Sequence, residues 1–558
     1  MKSTDGLAIN KHGSAWIYAL DICILLLCYI IYLRYDMPVT FIHEAIKLVL
    51  VYLLARLLFS LLPKYKEYIC VIAISLICLY ECGLGYLQLV GKHVSNNYLF
   101  AVTGSFKNPG PYGGFLAVCI SLLAAYCLKN KDSYKKNIFS RMMFWMAAVV
   151  AILASIILPS TQSRCAILAL ACSLLFMAYG KESIKSRLKP ILTKYGIWIL
   201  IGALLIGTGA YLFKKQSADG RLFMDRMCIN AICENGGRGV GARHFGCAYA
   251  DAQHDFFKKQ IERTGNDDLD WTAIDEHDRM TADCPDNAFN EYLFVGVEIG
   301  VLAMLAFIGV IVVGIILSIK NETIWCYGLT AFAIFAMFSY PLHLKQFQVL
   351  FTLLLAISIT EGVKRKRNIP GLAILIVPLL LLTVVLLKQK PIINQYRKAE
   401  SSWKTADRWY QKGCYECVVE ECDTLYEYMK HNPQYLFSYG QSLNKIGEFE
   451  KSDSILKMGT EISSDPMFWN VMGNNSLAMG RYREAEERYK HAFYMVPNRL
   501  YPLNLLAKLY YAEGDTARFL DMADRVETFV PKVESSNTAQ LLEEIRGLKA
   551  DIILKQEQ

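Results

Sequence analysis

Arg164 ends the short polar stretch PSTQSR (159–164), which stands between two apolar runs. A guanidinium at the mouth of an apolar segment is costly to push into hydrocarbon, so it snorkels to the interface or faces water, a partner or an anionic ligand. Three other polar breaks carry candidate residues. The glycine- and proline-rich turn GSFKNPGPYGG (104–114) holds Lys107 and Asn108, and SYPLHLKQ (339–346) holds Lys345. The long stretch 214–290 holds Arg221, Arg243, His244, His254, four cysteines (Cys228, Cys233, Cys247 and Cys284) and Asn290 at its end.

Other chemistries fit these residues less well. The run Asp267, Asp268, Asp270, Asp275, Glu276, Asp278 lacks the glycine and spacing of a calcium loop and reads as a solvated acidic patch. No close cysteine–histidine pair has zinc-ligand spacing. In an oxidising compartment the four cysteines allow three pairings, and the sequence chooses none. Gly239-Val240-Gly241 has no strand–helix unit around it, which argues against a dinucleotide site. Cys414-x-x-Cys417 sits in a repeat turn rather than a βα unit, which argues against redox work.

The elements that position these residues change solvent partway along the chain. Of 558 residues 54% are hydrophobic, and the mean hydropathy is +0.26, too apolar for one soluble domain. A membrane helix needs about 20 apolar residues. Candidate spans are 14–33, 41–62, 68–90, 113–128, 142–159, 164–180, 196–213, 290–318, 323–340, 346–360 and 370–387. The first run resembles a signal peptide, but it is long and no small-residue cleavage site follows, so it reads as an anchor. The net charge is +8, yet the tail after Lys390 has 21 basic and 25 acidic residues. The basic excess therefore lies in the membrane half, where it orients loops rather than grips nucleic acid. With the N-terminus inside, cytoplasmic segments hold 19 Lys and Arg, and the short outer loops hold five: Arg34, Lys92, Lys107, Arg164 and Lys345. An odd number of spans puts the tail outside.

The expectation is thus all-α: a polytopic membrane bundle of about eleven spans over 1–388, with a large external loop at 214–290, then a helical-repeat solenoid over 389–558. In the tail, prolines fall at 433, 466, 497 and 531, and glycines at 413, 447, 480 and 514. A period near 34 indicates tetratricopeptide repeats. The clearest copy carries Trp469, Gly473, Gly480, Tyr482, Ala485, Tyr489, Ala492 and Pro497. Stacked repeats make a concave groove, which either caps the membrane half or binds a partner or acceptor protein.

In this order the motifs resemble the O-antigen ligase and O-antigen polymerase superfamily of membrane glycosyltransferases, over residues 100–180 and 215–345. Thr103–Phe106 with Asn108 is similar to the family's glycine–aromatic–asparagine turn, and Ser163-Arg164 to its serine–arginine at the head of a span. Gly220-Arg221, then Gly239-Val240-Gly241 with Phe245 and Tyr249, resemble the large-loop signature. Ala288–Leu293 followed by Glu298-Ile299-Gly300 resembles the helix start after that loop. The tail repeats are similar to those appended to some members.

The resemblance implies transfer of a glycan from a polyprenyl diphosphate carrier to an acceptor hydroxyl, outside the bacterial inner membrane, with the tail periplasmic. It implies no nucleotide sugar, metal or other cofactor. The acceptor is a lipid A core, a growing polysaccharide or a protein serine or threonine. The departing diphosphate gains negative charge, which preorganised cations stabilise. Arginine suits this because its planar fork grips phosphate and never deprotonates. Arg164 and Arg221 come first, then Arg243 and Lys107. Asn108, Asn290 and Lys345 complete the expected substrate contacts. Many ligases of the superfamily carry a histidine where this chain has Phe289, so the base must come from elsewhere. Glu291 is the nearest replacement, and His244 and His254 could reach back from the loop. Glu298, seven residues on, lies close to the same helix face. The alternatives are a polymerase of the same superfamily, a lipid-linked glycan transporter, and a scaffold for the tail. A scaffold needs one span. A transporter needs a polar path, and mid-span charges are few: Asp21, Glu44, Lys47, Arg56 and Glu81.

Overall fold

The structure, a computed structural model, describes residues 9–34, 37–132, 137–179, 215–263, 269–361 and 369–556. Among them every regular element is helical. In chain order these are α1 (Ile9–Arg34), α2 (Val39–Leu61), α3 (Lys66–Leu89), α4 (Pro109–Lys129), α5 (Ile138–Ile157), α6 (Arg164–Tyr179), α7 (Lys215–Glu234), α8 (Phe245–Glu262), α9 (Glu276–Thr281), α10 (Glu291–Glu298), α11 (Val301–Lys320), α12 (Trp325–Ala336), α13 (Lys345–Glu361) and α14 (Ile369–Gln411). The tail adds α15 (Tyr415–Met429), α16 (Pro433–Lys445), α17 (Phe449–Thr460), α18 (Met467–Ala478), α19 (Tyr482–Met495), α20 (Tyr501–Glu513), α21 (Thr516–Thr528) and α22 (Ser536–Gln556).

Five helices among the described residues are long and apolar enough to cross a bilayer: Lys66–Leu89, Pro109–Lys129, Ile138–Thr161, Val301–Lys320 and Leu372–Gln411. The other expected spans depart from that pattern for local reasons. α2 carries Glu44, Lys47 and Arg56, α12 is 12 residues long, and α13 is 17. The expected span 196–213 lies outside the described residues. The expected span 290–318 is two helices, α10 and α11, because Gly300 breaks it with φ +105°.

The chain divides into two compact units. The first is Met1–Lys215, Phe289–Tyr292 and Leu302–Gln389. Its centre is α4, which is apolar all round and therefore buried all round; Phe115, Leu116, Ala117, Cys119 and Leu123 have almost no exposed surface. Gly113 and Gly114 let neighbours reach the α4 backbone. A Cβ on Gly114 would lie 2.2 Å from the Phe335 ring, and one on Gly113 would lie 2.6 Å from Thr161 Oγ1. The outward faces are apolar, with Ile152, Leu175, Leu302 and Leu380 exposed, a surface suited to hydrocarbon. Where α1, α2 and α13 meet, Arg56 is fully buried and donates to Asp21 through Nε (2.9 Å) and Nη2 (2.5 Å), and to Thr360 through Nη1 (2.7 Å). The bidentate pair satisfies both charges away from water.

The second unit is Gln216–Ala288, Leu293–Val301 and Lys390–Gln558. Residues 216–288, expected as an external loop of the membrane half, instead contain α7, α8 and α9 and cluster with the tail. The tail is a series of helix pairs. Gly413, Gly447, Gly480 and Gly514 end the first helix of successive pairs with φ between +72° and +89°, a conformation that a Cβ makes costly. This explains the glycine period. The expected boundary at 388/389 falls inside α14, which runs unbroken from Ile369 to Gln411.

Candidate functional site

In the first unit, hydrogen bonds join three of the four polar breaks. Ser163 Oγ donates to Gly110 O (3.3 Å), linking 159–164 to 104–114, and accepts from Ala166 N (3.3 Å), which caps the start of α6. Gln346 Nε2 donates to Ser105 Oγ (2.9 Å), linking 339–346 to the same turn. Two buried side chains shape that turn from α3. Glu81 accepts from Ser105 N (3.0 Å) and Ser105 Oγ (2.5 Å). Gln88 accepts from Thr103 N (2.9 Å) and Gly104 N (2.8 Å) and donates to Gly104 O (2.9 Å). Gly104 has φ +56°, and a Cβ there would strike Tyr112 and Glu81. Below the turn, Phe106, Phe115 and Phe347 pack with centroids 5.6 to 6.2 Å apart.

Glu291 opens α10 with 2% of its surface exposed. Its Oε2 accepts from Leu342 N (2.9 Å), and its Oε1 lies 3.7 Å from His343 Nε2. His343 is an exposed residue whose side chain is 26% exposed, and the partial desolvation of its ring lowers the imidazole to about 4, so it is neutral at pH 7. Phe289 stands edge-on to Tyr340 at 5.2 Å, and Tyr340 lies 6.2 Å from the His343 ring. The histidine beside Glu291 therefore comes from the fourth polar break. His343 was not among the residues expected from SYPLHLKQ; a titratable ring in a polar break is the signal that marks it. Glu81, Gln88 and Gln346 were likewise missed as supports of the turn.

The remaining expected residues of this unit are placed individually. Arg164 is the first residue of α6 and half-buried. Lys107 and Lys345 are exposed. Asn108 Oδ1 accepts from Gly110 N (2.9 Å) and caps α4, while Asn290 Oδ1 accepts from Tyr292 N (3.2 Å) at the start of α10. Both asparagines are engaged as helix caps.

Arg221, Arg243, His244, His254 and Glu298 belong to the second unit. Arg221 lies on α7, half-buried. Residues 237–243 dock on the end of α10. Val240 N donates to Val297 O (3.0 Å), Gly241 N to Glu298 O (2.9 Å), and Val301 N to Gly237 O (2.9 Å). A Cβ on Gly239 would lie 2.5 Å from the Ile299 carbonyl carbon, so only glycine fits there. Glu298, 6% exposed, accepts from the backbone N of Arg243 (2.7 Å), whose φ is +70°. Burial pushes Glu298 up to about 7, against the lowering effect of the backbone amides of Arg243 and Phe245 and of the Arg243 charge. Its carboxyl is thus committed to the loop. Burial also lowers the Arg243 guanidinium. His244 Nδ1 bonds Ala242 O (3.0 Å) just before α8. His254 stacks on His491 at 4.3 Å and bonds Asp255 Oδ1 (2.9 Å), so it serves packing against the tail helices. No disulfide joins Cys228, Cys233, Cys247 and Cys284. Among the described residues no three His, Cys, Asp or Glu side chains gather as metal ligands.

Comparison with protein-family models and with curated proteins returns no match to this sequence.

Proposed function

We propose that the chain is a membrane-embedded glycosyltransferase of the O-antigen ligase type. It moves a glycan from a polyprenyl diphosphate to an acceptor hydroxyl on the periplasmic face of a bacterial inner membrane, and its tail is a tetratricopeptide solenoid on the same side. The observation that carries this reading is the Glu291–His343 pair, in the same unit as the joined turns that bear Lys107 and Arg164.

In the tautomer with its proton on Nε2, facing Glu291, His343 takes the acceptor hydroxyl's proton at Nδ1. Glu291 stabilises the imidazolium that forms, which is the role a buried carboxylate has beside a histidine base. The hydroxyl oxygen forms the new bond to the sugar's anomeric carbon. The bond from that carbon to the diphosphate oxygen breaks, and the electron pair leaves with the diphosphate. Arg164 and Lys107 sit at the heads of α6 and α4, where helix dipoles favour the growing negative charge. Arg221 and Arg243, expected from the sequence for a phosphate role, lie in the second unit. Arg56 with Asp21, Lys47 with Glu44, and Glu81 with Ser105 are each paired locally, which favours transfer over a transport path.

The test uses the full chain in proteoliposomes with a polyprenyl diphosphate-linked oligosaccharide as donor. Separate arms supply a lipid A core, a polysaccharide and a serine/threonine peptide. Glycan on one acceptor, with release of polyprenyl diphosphate, is expected. Intact donor crossing the bilayer without cleavage would overturn the reading in favour of a transporter, and elongation of donor-linked glycan alone would make it a polymerase.

A further inference from the structure

The turns that join successive helix pairs in the tail carry Pro466, Pro497 and Pro531, three of the recurring prolines. Each turn contributes polar contacts to one short stretch of the same unit, Arg279 to Pro285. From the first turn, Ser464 Oγ donates to Pro285 O (3.2 Å). From the second, Asn498 uses both hydrogens of its Nδ2, donating to Arg279 O (2.9 Å) and Ala282 O (2.8 Å), and Arg499 Nη2 reaches Cys284 Sγ (2.8 Å). From the third, Lys532 Nζ donates to Ala282 O (3.2 Å), while Val530 O accepts from Arg279 Nη1 (2.9 Å). Gln253 of α8 completes the set with a bond to Asp283 O (3.1 Å). The order is antiparallel: the stretch runs from the last turn to the first as its numbers rise.

These contacts read mainly backbone. Four carbonyls (Arg279, Ala282, Asp283 and Pro285) are held by side chains that carry donors, and Asn498 is 4% exposed. A buried carboxamide with both hydrogens spent on carbonyls is costly to leave unpaired. Arg279, 2% exposed, is sandwiched between Trp271 (4.9 Å) and Phe529 (5.3 Å). We propose that this row of proline turns is a docking rail for the chain's own segment 279–285, and that Asn498 is its central positioning residue. The tail then orders the polypeptide that leads, six residues after Pro285, into Glu291. Removing that segment's conformational freedom in advance is a preorganisation effect on the site. This functional half rests on the transferase reading above; the docking half does not.

Two readouts keep the halves apart, both on the full chain in lipid nanodiscs. Asn498→Asp keeps the side chain's volume but turns an oxygen toward two carbonyls. Amide hydrogen exchange over 279–290 is expected to quicken at least tenfold, with the tail helices α15–α19 unchanged. Lys532→Met, which loses the bonds of Nζ to Ala282 O (3.2 Å) and Asp283 Oδ2 (3.4 Å), is expected to give a smaller acceleration in the same peptides, and Lys532→Arg should restore protection. Wild-type exchange in both Asn498→Asp and Lys532→Met would overturn the rail. In the transfer assay, Asn498→Asp should lower kcat at least tenfold with the donor KM unchanged. Full kcat with an exchanging segment would overturn the positioning role and leave only packing. No transfer by the wild type would remove the function proposed above while the exchange result still decides the rail.

Discussion

At the scale of single residues, the proposed transfer rests on His343 and Glu291. An imidazole whose ordinary value is 6.5 is pushed down to about 4 by burial, so as pH falls the unfolded chain takes up this proton first. His343 therefore contributes stability that is intact above about pH 6.5 and is lost as pH falls toward 4. Its value as a base follows the folded value. The transfer rate is expected to stay level through pH 6 and to fall with a midpoint near 4, measured as kcat/KM against pH. His343→Asn should remove that acid limb and lower the rate about 10²- to 10⁴-fold, the usual worth of a positioned base. Glu291→Gln keeps an acceptor for Leu342 N but cannot stabilise an imidazolium, so it should lose nearly as much. A wild-type rate for His343→Asn would move the base elsewhere. Part of this pair was legible: Glu291 followed from the departure at Phe289. Its partner was not, because the contact runs between positions 52 residues apart, and nothing local in SYPLHLKQ marks a ring that folds toward α10.

At the scale of elements, the junction of the 237–243 loop with the end of α10 depends on Glu298. Its folded value is raised from 4.5 to about 7, so the folded state holds the proton that the unfolded chain has already released. Stability is thus highest below about pH 4.5, falls as pH rises through 4.5 to 7, and is level above. The loss is roughly 3 kcal/mol at 1.36 kcal/mol per unit. Glu298→Gln, whose amide oxygen can still accept from Arg243 N, should flatten that slope, read as thermal unfolding midpoints in detergent from pH 4.5 to 8. An unchanged slope would show that the carboxyl is not responsible. This junction was half legible. Gly239-Val240-Gly241 and Gly300 were singled out, but as signature residues; what they provide is backbone contact between segments some 60 residues apart. The same blindness turned α10 and α11 into one expected span, because hydropathy continues through Gly300 while its φ of +105° ends the helix. The helices of 216–288 escaped for a related reason: their bonds go to distant residues, as Gln253 to Met495, 242 positions away. The tail pairs were legible because their glycines repeat a local requirement, a left-handed residue after each first helix.

For the whole molecule, the deciding quantity is parity. The excess of 19 basic residues over five is the expected mark of cytoplasmic loops, but it would place the tail outside only if an odd number of spans precedes Gln411. Five helices among the described residues satisfy length and apolarity by themselves. The others are short or carry charges that are paired inside the first unit, as Arg56 is with Asp21, so hydropathy alone undercounts what a bundle can hold in a bilayer. Fusions of alkaline phosphatase and of green fluorescent protein resolve this, since the first is active only outside and the second fluoresces only inside. Joined after Arg263 and after Gln411, the phosphatase fusions are expected to be active and the fluorescent ones dark. An active phosphatase at 263 with a fluorescent fusion at 411 would break the parity between them and overturn the second unit itself, since α8 and the tail bond each other through Gln253 and Met495. Fluorescence at both sites would put Arg221 and Arg243 across the membrane from the carrier diphosphate, and neither could then stabilise its departure. That second outcome needs only one span fewer before residue 214: without the expected span 196–213 every basic loop up to Lys194 keeps its side, so the charge bias does not oppose it.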